Sequence, residues 1–560
     1  MKIKLNKTTE DIKTNMLTNR GLTVEEVNNL LNPTKKMVES ISHYNVEKGI
    51  DMYLNSIKNN ELIATLVDVD ADGYCSSSIV YQVTTDEFGY ENIVYILQDG
   101  KTHGLTRKVV DKLLNSDVKL LIIPDAGSDN IKLLKEISTH GISVLILDHH
   151  IIELPMDELN SLHNIVLVNC QNGIVENKYL SGTGVTYKFF SEVAKKQGIK
   201  LRSKYLDLVA LSLITDVCDM KFSFENRYYL SQGSKISKIT NPLIELFKEK
   251  LKKKSKDKFS ITEFGFEIGP KINAIIRYGT LEEKEILFNA MIGVEELLPN
   301  KKTYQQETYT IGSRYQRIQR ESSKEIIPLL NDIVEETKAN EKPVIFIDGT
   351  DIVPKEIKGL LCNKMLDIYK KPIMISTLDN GIYSGSSRSI KTEQLSDFKS
   401  FCEKSQLFEW VRGHNNAHGH KIKKENIPKF LEYCDNNLDM QEYQEEVENI
   451  YVNEIPLEDV VEIANYEELW CNQIEPPKYL LKGVCLTPES IVRAGSSTYN
   501  IIIGDVKFTK EFGSLAWYNE VLDEISKTGL LNVELIVEFR QQKNKQPYAK
   551  IIEMRWEHES

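Results

Sequence analysis

Four short apolar runs between residues 61 and 148 restrict the fold more than any other feature of the sequence. The runs are ELIATLV, ENIVYIL, VKLLIIP and ISVLILD, and stretches with helical periodicity separate each from the next. Strands that are buried on both faces of a sheet have continuous apolar sequences, whereas strands with one solvated face alternate polar and apolar residues. Helices between such strands provide the crossovers of a parallel sheet. The segment therefore predicts an α/β domain in which helices cover both faces of a parallel sheet.

Acidic residues and histidines follow the predicted strands at the points where the strands end. The first strand runs into LVDVDADGYCSS, residues 66–77, in which aspartates occupy alternate positions. Similar residues end the third and fourth strands, and another aspartate closes a later predicted helix. The complete set is Asp68, Asp70, Asp72, Asp125, Asp148, His149, His150 and Asp216. Because ligands of an open parallel sheet collect outside the carboxyl ends of its strands, we expect these side chains to lie close together.

Carboxylates at this density repel one another unless positive charge lies among them. Carboxylate and imidazole ligands suit Mn²⁺ or Mg²⁺ better than a metal that prefers thiolates, and their number suits two ions. Two such ions lower the pKa of a bridging water, which makes hydroxide available for attack on phosphorus. One aspartate after a strand is usually a turn residue or a helix N-cap. Three strand ends that carry such residues together instead favour a metal site.

Four motifs in this set resemble those of the DHH phosphoesterases: DVDADG, PDAG, LDHH and LITDVCDM. Other segments resemble the RecJ-type members of that family, which degrade single-stranded DNA from its 5′ end. These segments are NRGLTVEEVNNLLNP (19–33), SGTGVTYKFF (181–190), YLDLVALSLITDV (205–217), ENRYYLSQG (225–233), GPKINAIIR (269–277), GSSRSI (385–390) and RGHNNAHG (412–419). The resemblance covers nearly the whole chain. It implies a metal-dependent 5′-to-3′ single-strand DNA exonuclease that releases mononucleotides by two-metal hydrolysis of phosphodiester bonds.

The resemblance also implies roles for individual residues. The metal ligands would be Asp68, Asp70, Asp72, Asp125, His149 and Asp216. Asp70 and Asp72 would act in catalysis as well, and His150 would contact the scissile phosphate or stabilise the leaving group. Substrate contacts would come from Asn273, Arg277, Ser386, Arg388, Gly413 and His414. Arginine suits this role because its planar fork binds phosphate bidentately.

Three positions depart from the RecJ pattern. Arg412 stands where the family has the first glycine of Gly-Gly-His, and Ile276 replaces a glycine before Arg277. The segment YILQDGKTHGL lacks an arginine that RecJ proteins use to hold the 5′ end of the strand. We expect Lys101 or Gln98 to take over this substrate contact.

The rest of the chain predicts a second α/β unit and a terminal β-rich region. PVIFIDG (343–349) begins the second unit, residues 300–340 have the pattern of one long polar helix, and strand-like runs dominate after about residue 480. Together with the resemblance, this gives an α/β fold class: a DHH domain and a DHH-associated domain, joined by a long helix and followed by an OB-like β-barrel. The expected boundaries are an N-terminal helical segment at 1–60, the DHH domain at 61–298, the connecting helix at 299–340, the DHH-associated domain at 341–436 and the OB-like domain at 437–560.

Composition restricts the partners and the compartment. The net charge of −12 argues against a general nucleic-acid coat protein, so DNA would meet a local positive field from bound ions and groove arginines. Eight scattered cysteines without a Cys-x-x-Cys pair indicate neither a zinc knuckle nor a disulfide framework. Without a signal-like N-terminus or a long apolar run, the sequence predicts a cytoplasmic protein with no membrane contact. Single-stranded DNA is the expected partner, and the resemblance adds a single-strand-binding protein or a helicase.

Aromatic and basic residues outside the motifs are further candidates for DNA contacts. They are Arg314, Arg317 and Arg320 on the predicted long helix and Trp517, Tyr518 and Arg540 in the predicted barrel. The arginines could equally well belong to a solvated helix face, and the barrel aromatics could equally well be buried in a core. His418 and His420 fit no metal-ligand pattern, and we expect them in the groove or on the surface.

Two other functions are compatible with parts of the sequence. A DHH phosphodiesterase for short oligonucleotides or cyclic dinucleotides would share the metal motifs, although such proteins usually lack the terminal barrel and the long helix. A non-catalytic DHH scaffold in replication or repair would have lost ligands that this chain keeps. Both alternatives are disfavoured by the sequence but remain open at this point.

Overall fold

The computed structural model describes residues 2–7, 11–41, 43–100, 103–152, 164–172, 175–201, 204–251, 259–392, 394–439, 444–495, 498–511, 515–541 and 545–556. Lys101 lies outside the described residues. The chain divides into two compact units. The larger unit comprises Lys4–Thr310 and Glu446–Ser560, and the smaller unit comprises Met1–Ile3 and Ile311–Glu445.

A five-stranded parallel sheet forms the centre of the first half of the larger unit; we call it the first sheet. In spatial order its strands are Ile93–Ile96, Leu62–Leu66, Val118–Pro124, Ser143–Asp148 and Ile165–Asn169. Every pair of neighbours in this order is parallel. The sheet predicted from the four apolar runs is confirmed. A fifth strand, Ile165–Asn169, was not predicted, and all of its residues are buried.

Helices cover both faces of the first sheet, as the crossover pattern predicts. On one face, Leu145 approaches the helix Tyr44–Lys58 so closely that an added Cβ on Gly49 would lie 3.0 Å from Leu145 Cδ1. The opposite face shares an apolar core with two helices, Arg107–Leu114 and Ile131–Thr139. The remaining helices of this half are Ala71–Gln82, Gly182–Lys196, Leu206–Thr215, Phe224–Gly233, Pro242–Lys250, Ile261–Glu263, Gly269–Tyr278 and Leu281–Ile292. Each fully buried aliphatic side chain in such a core contributes about 1.5–3 kcal/mol.

A seven-stranded mixed sheet, here called the C-terminal sheet, dominates the second half of the larger unit. Its spatial order is Ile450–Val452, Tyr479–Leu486, Leu531–Arg540, Tyr548–Arg555, Val506–Glu511, Thr498–Ile503 and Ile491–Arg493. The two outermost strands do not pair with each other within the described residues, so the predicted OB-like closure is not confirmed. Four helices accompany this sheet: Ile12–Thr18, Val24–Leu31, Leu457–Ala464 and Leu515–Thr528. Met16 and Leu30 from the N-terminal helices belong to its core, as does Tyr499, against which Tyr518 stacks at 4.7 Å.

The smaller unit contains a mixed five-stranded sheet. Its spatial order is Phe408–His414, Ala417–Lys423, Ile382–Arg388, Ile373–Asp379 and Ile345–Asp348. Its shorter helices are Lys358–Tyr369, Phe398–Lys404 and Ile427–Asn437. One expectation is wrong here, because His418 and His420 are 2% and 0% exposed rather than on the surface. Residues two apart in a strand point to the same face, and this face of Ala417–Lys423 is covered.

The helix Tyr304–Glu336 has 33 residues, in agreement with the long helix predicted over 300–340. The boundary between the two units falls within it. Arg314, Arg317 and Arg320 are exposed along this helix. Two short strands, Lys2–Leu5 and Gln444–Val447, pair with each other. Among the described helices, none is both long enough and apolar enough to cross a membrane.

Candidate metal centre

The three alternating aspartates lie at the carboxyl end of the strand Leu62–Leu66. Asp70 caps the helix Ala71–Gln82, because its Oδ1 accepts a hydrogen bond of 2.9 Å from Gly73 N. Asp68 is fully buried behind this turn. Gly73 is required there, since an added Cβ would lie 2.5 Å from the Cβ of Asp68. The close turn keeps the aspartates of this segment at the sheet edge.

Asp72 is held by the start of the helix Gly182–Lys196. Its carboxylate accepts hydrogen bonds from Gly182 N at 2.7 Å, from Thr183 N at 2.8 Å and from Thr183 Oγ1. The partial positive charge of a helix N-terminus stabilises a carboxylate in this position. Burial nevertheless raises the pKa of Asp72 above its ordinary value, and the nearby His149 opposes that shift. The SGTG segment therefore fixes the orientation of Asp72.

Asp125 is buried without the hydrogen bonds that a carboxylate normally accepts. It is 1% exposed, and within the described residues neither carboxylate oxygen has a hydrogen-bond donor. His149 Nε2 lies 3.1 Å from its Oδ1 as an ion-pair neighbour. Gly182 packs so tightly against Asp125 that an added Cβ would lie 2.4 Å from Oδ1. The helix Gly182–Lys196 thus approaches the carboxylate as closely as the backbone permits.

This arrangement of Asp125 is unfavourable for the protein alone. Leaving a buried acceptor unsatisfied costs about 1–3 kcal/mol. The φ of Asp125 is +64°, a left-handed conformation that costs non-glycine residues about 1–2 kcal/mol. Burial also raises the pKa of Asp125 well above its ordinary value. A divalent cation among the carboxylates would satisfy Asp125, so the residues present fit such an ion.

His149 links Asp125 to two further carboxylates. Its Nε2 lies 3.7 Å from Asp216 Oδ2 and 3.8 Å from Asp72 Oδ2. Asp216 ends the helix Leu206–Thr215, where the partial negative charge of the helix C-terminus makes a carboxylate unfavourable. The ligand atoms of Asp72, His149 and Asp216 all lie within 4.8 Å of one another. A cation would relieve both the mutual repulsion and the unfavourable helix dipole.

His150 is oriented by Asp148, a residue to which the sequence assigned no role. Asp148 is buried and accepts hydrogen bonds from His150 Nδ1 at 2.8 Å, His149 N at 2.7 Å and Ser128 N at 3.1 Å. Burial alone would lower the pKa of His150, but attraction to Asp148 outweighs it and raises that pKa to about 10. Burial would raise the pKa of Asp148, and His150 overcomes this and holds it below its ordinary value. The two residues therefore form an ionised pair at neutral pH.

His103 is a second group that sequence reasoning missed. Its Nδ1 lies 2.5 Å from Asp68 Oδ2 and 3.9 Å from Asp70 Oδ2. The neighbouring Gly104 N donates to Asp68 Oδ1 at 2.7 Å. The His103 side chain is 58% exposed; partial loss of solvent around the imidazole would lower its pKa, but Asp68 outweighs this and raises the pKa to about 9. Asp68, Asp70 and His103 thus form another group of oxygen and nitrogen donors within 4.8 Å of one another.

Within the described residues, the groups of potential metal ligands at this centre contain aspartates and histidines but no cysteine. Cys75 and Cys218 lie near the carboxylates, and burial raises the pKa of both thiols well above the ordinary value. Oxygen and nitrogen donors without thiolate suit Mn²⁺ or Mg²⁺. The chemistry of the side chains therefore agrees with the metals predicted from the sequence.

The predicted substrate-binding residues fall in both units. Asn273 and Arg277 belong to the helix Gly269–Tyr278 of the larger unit. Arg277 is exposed on this helix. Lys101 lies outside the described residues, and its alternative Gln98 is buried.

The other four substrate-binding candidates belong to the smaller unit. Ser386 and Arg388 lie on the strand Ile382–Arg388 and face the start of the helix Lys358–Tyr369. An added Cβ on Gly359 of that helix would lie 2.9 Å from Arg388 Nη2 and 3.8 Å from Ser386 Oγ. The structure thus brings this serine and arginine together at a helix N-terminus. The remaining two end the strand Phe408–His414, namely Gly413 and His414.

Comparison with known proteins identifies the family. Residues 62–213 match the DHH family, N-terminal domain. The SPbeta prophage-derived protein YorK of Bacillus subtilis (strain 168), which is provisionally named a single-strand DNA-specific exonuclease, is 30% identical over 509 residues, or 86% of each chain. The chain belongs to the RecJ-like branch of the DHH family.

Other RecJ proteins share sequence or fold with this RecJ-like chain. The single-stranded-DNA-specific exonuclease RecJ of Haemophilus influenzae is 25% identical over 433 residues, covering 73% of this chain and 72% of that protein. RecJ of Thermus thermophilus in complex with Mn²⁺ has a TM-score of 0.70 at 17% identity, covering 98% of this chain and 76% of that one. Its complex with Mg²⁺ gives a TM-score of 0.65 at 16% identity, with coverages of 98% and 75%. The α/β fold is therefore that of RecJ.

Proposed function

We propose that this RecJ-like chain is a metal-dependent exonuclease that hydrolyses single-stranded DNA from the 5′ end and releases mononucleotides. The observation that carries the proposal is the buried Asp125 carboxylate, which has no hydrogen-bond donor within the described residues and lies beside His149. YorK and RecJ of Haemophilus influenzae are named as single-strand DNA-specific exonucleases. Such a carboxylate in a chain with these relatives supports a nuclease centre.

Two divalent cations, Mn²⁺ or Mg²⁺, would be held by two groups of side chains. One group consists of Asp72, Asp125, His149 and Asp216, and the other of Asp68, Asp70 and His103. When bound, the ions would supply Lewis-acid stabilisation of phosphate charge and lower the pKa of the attacking water. His103 is an addition to the ligand set predicted from the sequence.

His150 is the group best placed to act on the phosphodiester itself. Its Nδ1 is engaged by Asp148, which keeps the imidazole protonated and leaves Nε2–H for another acceptor. That N–H can donate to a phosphate oxygen or protonate the oxygen that leaves. Asp148 therefore acts as a positioning residue for His150.

Each unit would contribute contacts to phosphates of the strand. In the larger unit these are Arg277, the weaker candidate Asn273 and, at the 5′ end, Lys101; in the smaller unit they are Ser386, Arg388, Gly413 and His414. The boundaries at 61–298, 299–340, 341–436 and 437–560 form part of this proposal, with the OB-like region extending the path of the strand. A single-strand-binding protein or a helicase would deliver DNA in repair or recombination.

Digestion of end-labelled single-stranded DNA tests the proposed function. One strand is labelled at the 5′ end and an identical strand at the 3′ end, and each is incubated with Mn²⁺ or with chelator. We expect immediate release of labelled mononucleotide from the 5′ label, a shrinking ladder from the 3′ label and no reaction in chelator. Reverse polarity would contradict the direction, and cleavage confined to very short oligonucleotides would favour the alternative phosphodiesterase.

A matched pair of variants assigns this activity to the metal centre. Asp125→Asn keeps the shape of the side chain but removes the buried charge, so it should abolish the Mn²⁺-dependent products. Asp117→Asn changes an exposed aspartate of the same unit and should digest both substrates like the wild type. Equal activity of the two variants would exclude Asp125 from the reaction.

A further inference from the structure

Two aromatic side chains in segments next to metal-ligand candidates in the sequence have no part in the reaction described above. Phe222 is 62% exposed, and its ring centroid lies 6.2 Å from that of Tyr179 with 30° between the ring planes. A lysine accompanies each ring: Lys178 Nζ is 5.2 Å from the centre of Tyr179, and Lys221 Nζ is 5.1 Å from that of Phe222. We call these four residues the aromatic platform.

The platform is attached to the segments that position the metal-ligand candidates. Tyr179 precedes Gly182 by three residues, and Gly182 N donates to Asp72. Three residues span at most about 11 Å. Phe222 follows Asp216 by six residues, which span at most about 22 Å. Both rings therefore lie within a few nucleotides' reach of the centre.

The loop that carries Phe222 is well ordered although the ring is exposed. Asp219 Oδ1 accepts hydrogen bonds from Lys221 N at 2.8 Å and from Phe222 N at 2.7 Å. Buried Asn226 joins the two loops, because its Nδ2 donates to Tyr179 O at 2.7 Å and to Asp219 O at 2.9 Å. An exposed phenylalanine buries little apolar area and so contributes little to the stability of the fold. A ring that is already held in place loses little conformational entropy when a ligand binds to it.

We propose that the aromatic platform stacks a base of the single-stranded DNA while its two ammonium groups attract the adjoining phosphates. The inference rests on the proposed function, because it takes single-stranded DNA as the substrate. Aromatic rings stack on any base, and lysines beside them match the phosphate chain, which is how proteins bind single strands without sequence preference. Lys178 is exposed. Lys221 Nζ donates a hydrogen bond of 2.6 Å to Arg20 O, which holds the ammonium group beside the ring of Phe222.

Equilibrium binding of oligothymidylates with and without single abasic positions tests this proposal. The strands carry phosphorothioate linkages to slow hydrolysis, and binding to the full chain is followed by fluorescence anisotropy in Mn²⁺. Phe222→Ala and Tyr179→Ala should each weaken binding about tenfold, within the ~5- to 150-fold range for one base–aromatic stack. Phe222→Trp should retain wild-type binding, and Phe266→Ala, which truncates a phenylalanine that is 72% exposed elsewhere, should not change it.

The abasic series separates stacking from a general loss of affinity. In the wild type, one abasic position should weaken binding about as much as Phe222→Ala does, and in Phe222→Ala that position should cause no further loss. Normal binding by both alanine variants would overturn the platform, and so would additive losses from Phe222→Ala and the abasic position. The proposed function would remain intact in either case if the wild type still digests the strand. If the wild type neither binds nor digests the strands, the proposed function itself fails and the platform with it.

Discussion

Two buried polar clusters of the larger unit are built in opposite ways. In the paired cluster, Lys188 Nζ lies 2.7 Å from Glu225 Oε1, and both are almost fully buried. Amide and phenol groups complete its hydrogen bonds, from Asn177 at 2.9 Å and Tyr229 at 2.9 Å. In the metal centre, Asp125 is equally buried, but within the described residues its oxygens accept no hydrogen bond, and His149 Nε2 lies 3.1 Å from Oδ1 as an ion-pair neighbour.

The difference separates residues that serve the fold from residues that serve a ligand. A buried charge with a complete set of partners is compensated within the protein. Removing one partner leaves the other charge buried and uncompensated, which destabilises the fold. A buried charge that accepts no hydrogen bonds is already costly, so removing it relieves the protein, although a ligand then loses its site. The paired cluster also helps to hold the loops of the aromatic platform, since Asn177 Nδ2 contacts Asn226 Oδ1 at 3.1 Å.

The largest expected effect is the destabilisation caused by breaking the paired cluster. Lys188→Met leaves Glu225 buried without its cation, and we expect the free energy of unfolding to fall by about 3–5 kcal/mol. Urea denaturation in chelator measures this. The double variant Lys188→Met with Glu225→Leu should recover part of the loss. A single variant as stable as the wild type would contradict the distinction between the clusters.

Asp125→Asn should have the opposite effects, because it should keep the stability of the fold and lose the activity. It removes the unsatisfied charge, so the free energy of unfolding in chelator should stay constant or rise by about 1–2 kcal/mol. Initial rates on single-stranded DNA in Mn²⁺ should nevertheless fall by about 10²–10³ or more, a loss of the size seen when one preorganised electrostatic group of an active site is removed. A clear loss of stability in chelator would place Asp125 with the paired residues instead.

Asp148→Asn tests the positioning of His150. The neutral amide no longer holds the imidazolium, so we expect about 10- to 100-fold slower hydrolysis, the usual loss when a supporting partner is removed. In chelator the pair should also shape the pH dependence of stability. Because the folded pKa of His150 is raised from 6.5 to about 10, the pair stabilises the fold fully below pH 6.5 and loses this between pH 6.5 and 10.

The free energy of unfolding, measured across that pH range in chelator, should therefore decline more steeply in the wild type than in Asp148→Asn. Asp117→Asn, with its exposed carboxylate, serves as the control and should follow the wild type. Identical slopes for wild type and Asp148→Asn would mean that this pair is not ionised in the folded protein.

The smallest expected effect concerns the unpredicted histidine. His103→Gln removes a nitrogen donor but keeps a polar side chain, and Mn²⁺ affinity should fall about tenfold, at the low end of losses seen around metal sites. Calorimetric titration with Mn²⁺ measures this directly. The control is His140→Gln, which changes a histidine at the end of the helix Ile131–Thr139. The Nδ1 of His140 lies 2.8 Å from Glu136 O, and the variant should bind Mn²⁺ normally. Equal affinities of both variants would remove His103 from the ligand set.

The sequence allows the first sheet and its acidic edge to be predicted because both depend on local pattern. Buried parallel strands must be apolar throughout, and functional side chains must follow their carboxyl ends. The roles of Asp148 and His103 escape such reasoning because they depend on loop geometry. Asp148 forms a hydrogen bond with the imidazole of His150, two residues later, and His103 contacts Asp68, which lies 35 residues earlier in the chain. Burial of His418 and His420 likewise depends on which sheet face is covered, and this is a tertiary property.

The most direct test of the central claim is calorimetric titration of the wild-type protein with Mn²⁺, beside Asp125→Asn. The claim is that the buried, unsatisfied carboxylate of Asp125 and the carboxylates around it form a centre for two divalent ions. It predicts two bound Mn²⁺ per chain in the wild type, and loss of at least one of them in Asp125→Asn. A wild-type protein that binds no Mn²⁺, or a variant that binds both ions as tightly, would contradict it.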